Sequence, residues 1–330
     1  MKKSIYVFSK GSLKRKDNTI CFESSSDRKY IPVEDVNEIF VFGEVDINKK
    51  LLEFLSQKEI LLHYFNYHDY YMGTFYPREH LNSGHVILQQ ARHYLDHDKR
   101  MLIASKIVDG AFKNIIQVIN YCHNRGKNVI DEKNSIIELH KKVNNCSDNS
   151  QLMGIEGNTR EYYYRAFDKI IDNPNLKFEK RTKRPPRNAL NSLISFGNSL
   201  LYTIVLSEIY KTHLDPILGF LHTTNFRRFS LNLDIAEIFK PIIIDRMIFK
   251  LLSKNMITRK DFDVNIDSVL IKNKGREIII KELDNRLNTT IKVRELNKNV
   301  SYRYLIRLEL YKIEKHLLEE KEYKAYVSKW

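Results

Sequence analysis

Three acids and one histidine carry most of the chemistry this sequence offers. Glu156 sits in Leu152-Met-Gly-Ile-Glu156-Gly-Asn158, between two close glycines and just before a stretch of helical period at Arg160–Phe167. Glycine lets another backbone or a ligand approach closely. This carboxylate therefore either lies in solvent beside a tight helix crossing or stands next to a bound group. Asp234 and Glu237, in Ser230-Leu-Asn-Leu-Asp234-Ile-Ala-Glu237-Ile-Phe-Lys-Pro241, are i and i+3 and share one helix face. Leu231, Leu233, Ile235, Ile238 and Phe239 surround them, and two like charges there are mildly unfavourable unless a cation lies beside them. His222 closes the preceding segment, Asp215-Pro-Ile-Leu-Gly-Phe-Leu-His222. An imidazole with carboxylates can hold a divalent cation, and Mg²⁺ or Mn²⁺ suits such a set where waters complete the shell. The other reading is an acidic surface pair with His222 packed nearby.

Other groups are less specific. Lys177-Phe-Glu-Lys180-Arg181-Thr-Lys183-Arg184-Pro-Pro-Arg187 has six basic residues and one acid, and its prolines keep it extended. Such a run is a solvated loop or a track along a phosphate backbone. Tyr162-Tyr-Tyr164 with Arg160 and Arg165 could stack on bases or belong to a core. His93 and His97 are i, i+4, but the intervening Tyr-Leu-Asp lacks the glutamate of a protease-type zinc helix, so a zinc reading is set aside. There is no phosphate-cradling glycine loop, Gly-x-Ser-x-Gly elbow or cysteine-nucleophile signature.

The chain that must position these groups has 330 residues, room for about two domains. Its 42% hydrophobic and 29% charged content is that of a globular protein and argues against a disordered or fibrous one. The start has an apolar stretch too short for a signal peptide, and no unbroken apolar run approaches a membrane span. Cys21, Cys122 and Cys146 are few and far apart, which suggests no disulfide framework or zinc site. These features predict a soluble, cytoplasmic protein.

Charge divides the chain unevenly. Residues 1–80 carry 12 basic and 12 acidic residues, so the whole net charge of +14 falls in 81–330. An excess confined to one segment favours a polyanionic partner, because neutralised phosphates release counterions.

Hydrophobic period changes at the same place. Ile5–Phe8, Thr19–Phe22, Glu38–Phe42, Ile60–Phe65 and Tyr70–Tyr76 read as strands, with an amphipathic helix at about 48–57 between them. From His85 the period is helical, with helices expected near 101–122, 131–143, 151–172, 187–210 and 300–320. Asp215-Pro216 predicts a short helix through Leu221, Lys240-Pro241 predicts a break between two helices, and 264–281 has room for a small hairpin. The expected architecture is α+β: a β-rich, β-sandwich-like domain at 1–80, a linker at 81–84, and a basic α-helical domain at 85–330.

Taken in order, these segments resemble the CRISPR-associated adaptation integrase and endonuclease family, Cas-one. The resemblance rests on Gly154-Ile-Glu156-Gly157, Arg184-Pro-Pro-Arg187 through Gly197 to Leu201, Leu214 through Gly219 to His222, and Ser230 through Asp234 and Glu237 to Pro241. Phe40-Val-Phe-Gly43, Gly73-Thr-Phe-Tyr-Pro-Arg78 and Leu88-Gln-Gln-Ala91 add to it, and it is weakest after about residue 255. It implies a metal-dependent DNA endonuclease/integrase that joins 3′-hydroxyl ends of spacer DNA into a CRISPR repeat. It also implies a homodimer formed through the β-domain, joined to a small adaptation partner, Cas-two. The implied metal ligands are Glu156, His222 and Glu237, the last at a position where the family often has Asp, with Asp234 a further acid beside them. Phosphate contacts are then expected from Arg184, Arg187, Arg227 and Arg228, and from Arg160 and Arg165. The competing reading is a DNA-binding scaffold of the same fold without catalysis.

Overall fold

The computed structural model describes residues 2–78, 81–173, 176–223, 229–293 and 296–329. The chain divides into two compact units, Met1–Asn82 and Ser83–Trp330.

The first unit contains β1 (Lys3–Val7), β2 (Gly11–Lys16), β3 (Thr19–Glu23), β4 (Arg28–Pro32), β5 (Val36–Val41), β6 (Val45–Ile47), α1 (Lys49–Gln57), β7 (Leu61–Phe65) and β8 (Tyr71–Phe75). They form two four-stranded sheets, ordered β1-β5-β7-β8 and β4-β3-β2-β6. The first sheet is parallel from β1 through β5 to β7 and closes with antiparallel β8. Leu13 and Ile20 from one sheet, Ile39, Val41 and Leu62 from the other, and Leu51, Phe54 and Leu55 from α1 meet in one hydrophobic core. Asn48 caps α1 by accepting from Leu51 N at 2.9 Å.

The second unit is helical: α2 (Gly84–Leu95), α3 (His97–His123), α4 (Ile130–Lys141), α5 (Asn149–Ile171), α6 (Ala189–Ile209), α7 (Leu231–Lys240), α8 (Arg246–Ser253), α9 (Asn273–Asn288) and α10 (Tyr302–Leu317). Hairpins β9 (Phe262–Val264) with β10 (Val269–Ile271), and β11 (Thr290–Val293) with β12 (Lys298–Ser301), complete it. The α+β class expected from the pattern is therefore the architecture observed. By length and mean hydropathy α6 alone among the described helices could cross a membrane. Its apolar stretch is 78% buried, as in a core helix. The three cysteines are free.

Three local expectations give way to the structure. Gly84 lies in α2 rather than in a linker, because Ser83 caps that helix by accepting from Val86 N. Residues 216–221 form turns, not a helix. Their backbone N–H groups are taken elsewhere: Gly219 N by Ser230 Oγ, and Phe220 and Leu221 N by Asp234. Pro241 does not separate two helices. The backbone runs on through a π-helical segment, Pro241–Asp245, into α8, and Arg246 N reaches back to Pro241 O.

Candidate active site

Glu156 projects from α5, which Asp148 caps through Gln151 N. Its flanking Gly154 and Gly157 are exposed, and a Cβ built on either meets nothing within 4 Å. Among the described residues no helix crosses there, so the glycines leave open ground on either side of the carboxylate.

Glu237 lies deeper, on α7, with a side chain only 5% exposed against 24% for Glu156. Arg160, one turn after Glu156, joins them: its Nε donates to Glu156 Oε1 at 3.1 Å and its Nη2 to Glu237 Oε2 at 2.9 Å. Lys240 takes the other oxygen, Glu237 Oε1, and lies over the Tyr202 ring. Burial and the charge of Glu237 push the Glu156 carboxyl above its ordinary range. Burial opposes ionisation of Glu237 too, but Lys240, Arg160 and His222 more than offset it and hold this carboxyl well below the usual range.

His222 ends the 211–222 loop, whose shape is fixed from four sides. Gln90 of α2 donates to Asp215 O and Leu218 O and accepts from Asp215 N. Arg100 of α3 donates to Phe220 O, and Asn149 of α5 donates to Phe220 O and Leu221 O. Asp234, fully buried, accepts from the backbone N–H groups of Phe220, Leu221 and His222. It also pairs with His222 Nδ1 at 2.8 Å, which orients the ring and directs Nε2 away from Asp234. Burial disfavours the imidazolium, yet the bond to Asp234 raises the His222 pKa above its ordinary value. Gly219 is required here, since a Cβ would fall 2.8 Å from Asp234 Oδ2.

Asp234, expected as a further acid beside the site, has both its oxygens engaged with backbone and His222 donors. One sequence expectation is corrected. Arg160 is no phosphate contact, being 8% exposed and turned inward onto Glu156, Glu237 and Asp245. Arg165 is exposed, pairs with Glu161 and lies over Tyr162. Tyr163 and Tyr164 are core residues, and His93 is buried while His97 is exposed. Arg227 and Arg228 lie outside the described residues.

The basic run is an ordered loop. Leu176, Phe178 and Pro186 are buried, and Asn191 of α6 donates to Lys180 O and accepts from Thr182 N. Arg181 is spent internally, on Asn191 and Ser195. Lys180, Lys183, Arg184 and Arg187 face outward.

Could a divalent cation sit here? Among the described residues no three His, Cys, Asp or Glu side chains are drawn together as a ready metal cage. The donor set nevertheless fits: two carboxylates from different helices are brought together by Arg160 with Lys240 beside them, and His222 adds to the field at Glu237. Carboxylate oxygens and one imidazole suit Mg²⁺ or Mn²⁺.

This architecture has known counterparts. Residues 5–285 match the family profile described as CRISPR associated protein Cas1. A protein of Thermodesulfovibrio yellowstonii named CRISPR-associated endonuclease Cas1 2 is 57% identical over 330 residues, covering both chains fully. The solved structure of a Cas1 protein from Thermotoga maritima superposes with a TM-score of 0.90 at 50% identity, over 98% of this chain and 100% of that one. At the level of fold alone, two more structures match with TM-scores of 0.86. One is a casposase bound to integration product, at 20% identity over 99% of this chain and 94% of that one. The other is a Cas6-RT-Cas1–Cas2 complex, at 17% identity over 100% of this chain and 36% of that one. The fold is that of the CRISPR-associated Cas1 endonucleases. The chain belongs to the Cas1 family.

Proposed function

We propose that this chain is a divalent-metal-dependent DNA endonuclease and integrase of CRISPR adaptation. In this reading Glu156, His222 and Glu237 hold Mg²⁺ or Mn²⁺, and Asp234 orients His222. The observation that carries it is the pair of carboxylates from α5 and α7 brought together beneath open ground at Gly154 and Gly157. Such a cation would neutralise charge on a phosphodiester and orient an attacking hydroxyl. The reaction is a transesterification: a spacer 3′-oxygen bonds to phosphorus as the repeat's own 3′-oxygen leaves and takes up the proton. The protein's part is placement of the strands. Lys180, Lys183, Arg184 and Arg187 track the duplex backbone, and the gap around Glu156 admits the phosphate. A homodimer through the β-unit, joined to Cas2, completes the reading.

One observation favours a second reading, a scaffold that binds DNA without cutting it. Both oxygens of Glu237 are already paired, with Arg160 and Lys240. Joining of a labelled duplex with 3′-hydroxyl ends to a supercoiled repeat-bearing plasmid separates the two. It is run in Mn²⁺ or Mg²⁺, with and without Cas2, beside Glu156→Ala. Metal-dependent joining, lost in Glu156→Ala while DNA affinity stays within a few-fold, is expected. Binding without joining in either metal with a competent partner, or joining by the variant at the wild-type rate, sinks the assignment.

A further inference from the structure

Lys240-Pro241 follows directly on the turn that carries Glu237. Proline has no N–H, so position 241 cannot donate to Glu237 O as an α-helix requires. The π-helical segment Pro241–Asp245 then shifts the ladder by one residue. Around this point, side chains from three other helices donate to carbonyls. Arg160 Nη2 of α5 reaches Glu237 O at 3.3 Å. Asn114 Nδ2 of α3 reaches Ile238 O at 2.9 Å, and Arg286 of α9 reaches Ile242 O through Nε at 3.0 Å and Nη2 at 2.7 Å.

Arg160 differs from the other two because it also holds the carboxylates. The Nη2 that reaches Glu237 O also donates to Glu237 Oε2, Nε holds Glu156, and Nη1 faces Asp245 Oδ2 at 3.6 Å. A planar guanidinium fixes three directions at once, which an ammonium cannot do. We propose that Arg160 is a positioning residue. It replaces the backbone restraint that Pro241 removed, and so sets where the Glu237 carboxylate stands relative to Glu156. The inference rests on the metal-site reading above.

A bare countercharge would serve the carboxylates equally well whatever residue 241 is, so a double-mutant cycle decides. Mn²⁺ binding to the full chain is measured by electron paramagnetic resonance and calorimetry for wild type, Arg160→Lys, Pro241→Ala and the double variant. Arg160→Lys is expected to weaken binding about tenfold. In the Pro241→Ala background, where an N–H again serves Glu237 O, the same change should cost only about twofold, a coupling within the usual range for contacting residues. Equal losses in both backgrounds overturn the proposal and leave Arg160 a countercharge. If melting curves show Arg160→Lys unfolded, Asp245→Asn, which meets Arg160 at Nη1, is expected to weaken Mn²⁺ binding about threefold with the fold intact; unchanged affinity overturns the proposal there too. A wild-type chain that binds no Mn²⁺ overturns the metal reading itself, and the proposal with it.

Discussion

The two units bury different things. Inside the β-unit the core is hydrophobic, and buried polar groups there are locally satisfied: Glu38 by Ser4 and His63 by Thr74. Inside the helical unit Arg160, Asp234, Glu237, Lys240 and Asp245 are all buried within two turns of the candidate site. Burying charge is unfavourable unless each ion is paired, and a hydrophobic cluster of the same volume is commonly as stable or more so. The charged interior is therefore poor evidence of a stability device and good evidence of chemistry. Asp245 illustrates the strain: burial pushes its carboxyl up to about 7 despite Arg160, and Arg160 Nη1 and Asp245 Oδ2 are left without hydrogen-bond partners in the described structure.

The comparison predicts separable damage. Glu237→Ala removes the carboxylate that stands between Arg160 and Lys240, and we expect joining to be lost together with about 3–5 kcal/mol of stability. Leu51→Ala, at a fully buried position of α1, should cost about 2–5 kcal/mol but leave Mn²⁺ affinity unchanged. Urea unfolding followed beside Mn²⁺ titration checks both. A Leu51→Ala protein with lost metal affinity would mean that the two interiors do not act independently.

The same contrast extends to the surfaces. Reversing Arg184 and Arg187 to Glu on the outward-facing loop should weaken duplex binding and lower the salt slope by about 2, since each phosphate contact contributes about 0.9. Stability should stay within ±0.5 kcal/mol. An unchanged slope would place the DNA elsewhere.

A smaller effect is expected from pH. Because the His222 pKa is raised in the fold, the proton-bound His222–Asp234 pair contributes fully below the unfolded value near 6.5 and loses its contribution as pH rises through the folded value. A metal needs the neutral ring, so Mn²⁺ affinity should strengthen over that same rise, with a midpoint above 6.5. Asp234→Asn should move the midpoint down. A midpoint that Asp234→Asn does not move would remove Asp234 from control of His222.

Much of the fold was legible because apolar alternation and helical period report burial directly. The strands β1, β3, β5, β7 and β8 stand where short apolar runs predict them. The strands β2 (Gly11–Lys16), β4 (Arg28–Pro32) and β6 (Val45–Ile47) were not, since β2 buries only Leu13 and β4 buries nothing fully; pairing with β3 makes both into strands. The 216–221 helix failed for a related reason: Asp234 and Ser230 compete for its N–H groups from beyond the local window. For the site, residue types and order pointed to Glu156, His222 and Glu237; the fold joins the two glutamates through one guanidinium and holds His222 against Asp234. The inward turn of Arg160, and the grip of Gln90, Arg100 and Asn149 on the 211–222 loop, depend on residues far apart in sequence. No periodicity encodes them.

The smallest expected change is also the most discriminating. Gly154 and Gly157 lie inside a long helix with nothing within 4 Å of an added Cβ. Each costs roughly 0.5–1 kcal/mol relative to alanine for no packing return within the chain. If the gap exists only by accident, Gly157→Ala should stabilise the helix and leave joining untouched. If, as we propose, the gap admits a phosphate to Glu156, the same variant should gain stability by about that amount and yet join more slowly. Mn²⁺ affinity should be unchanged, because no metal-ligating side chain is altered. Thermal unfolding, Mn²⁺ titration and joining rates on one preparation distinguish the two. A faster or equal rate in the more stable variant would return the glycines to the ordinary business of the helix, whereas stability and activity moving apart would identify the open ground beside Glu156 as the place where DNA arrives.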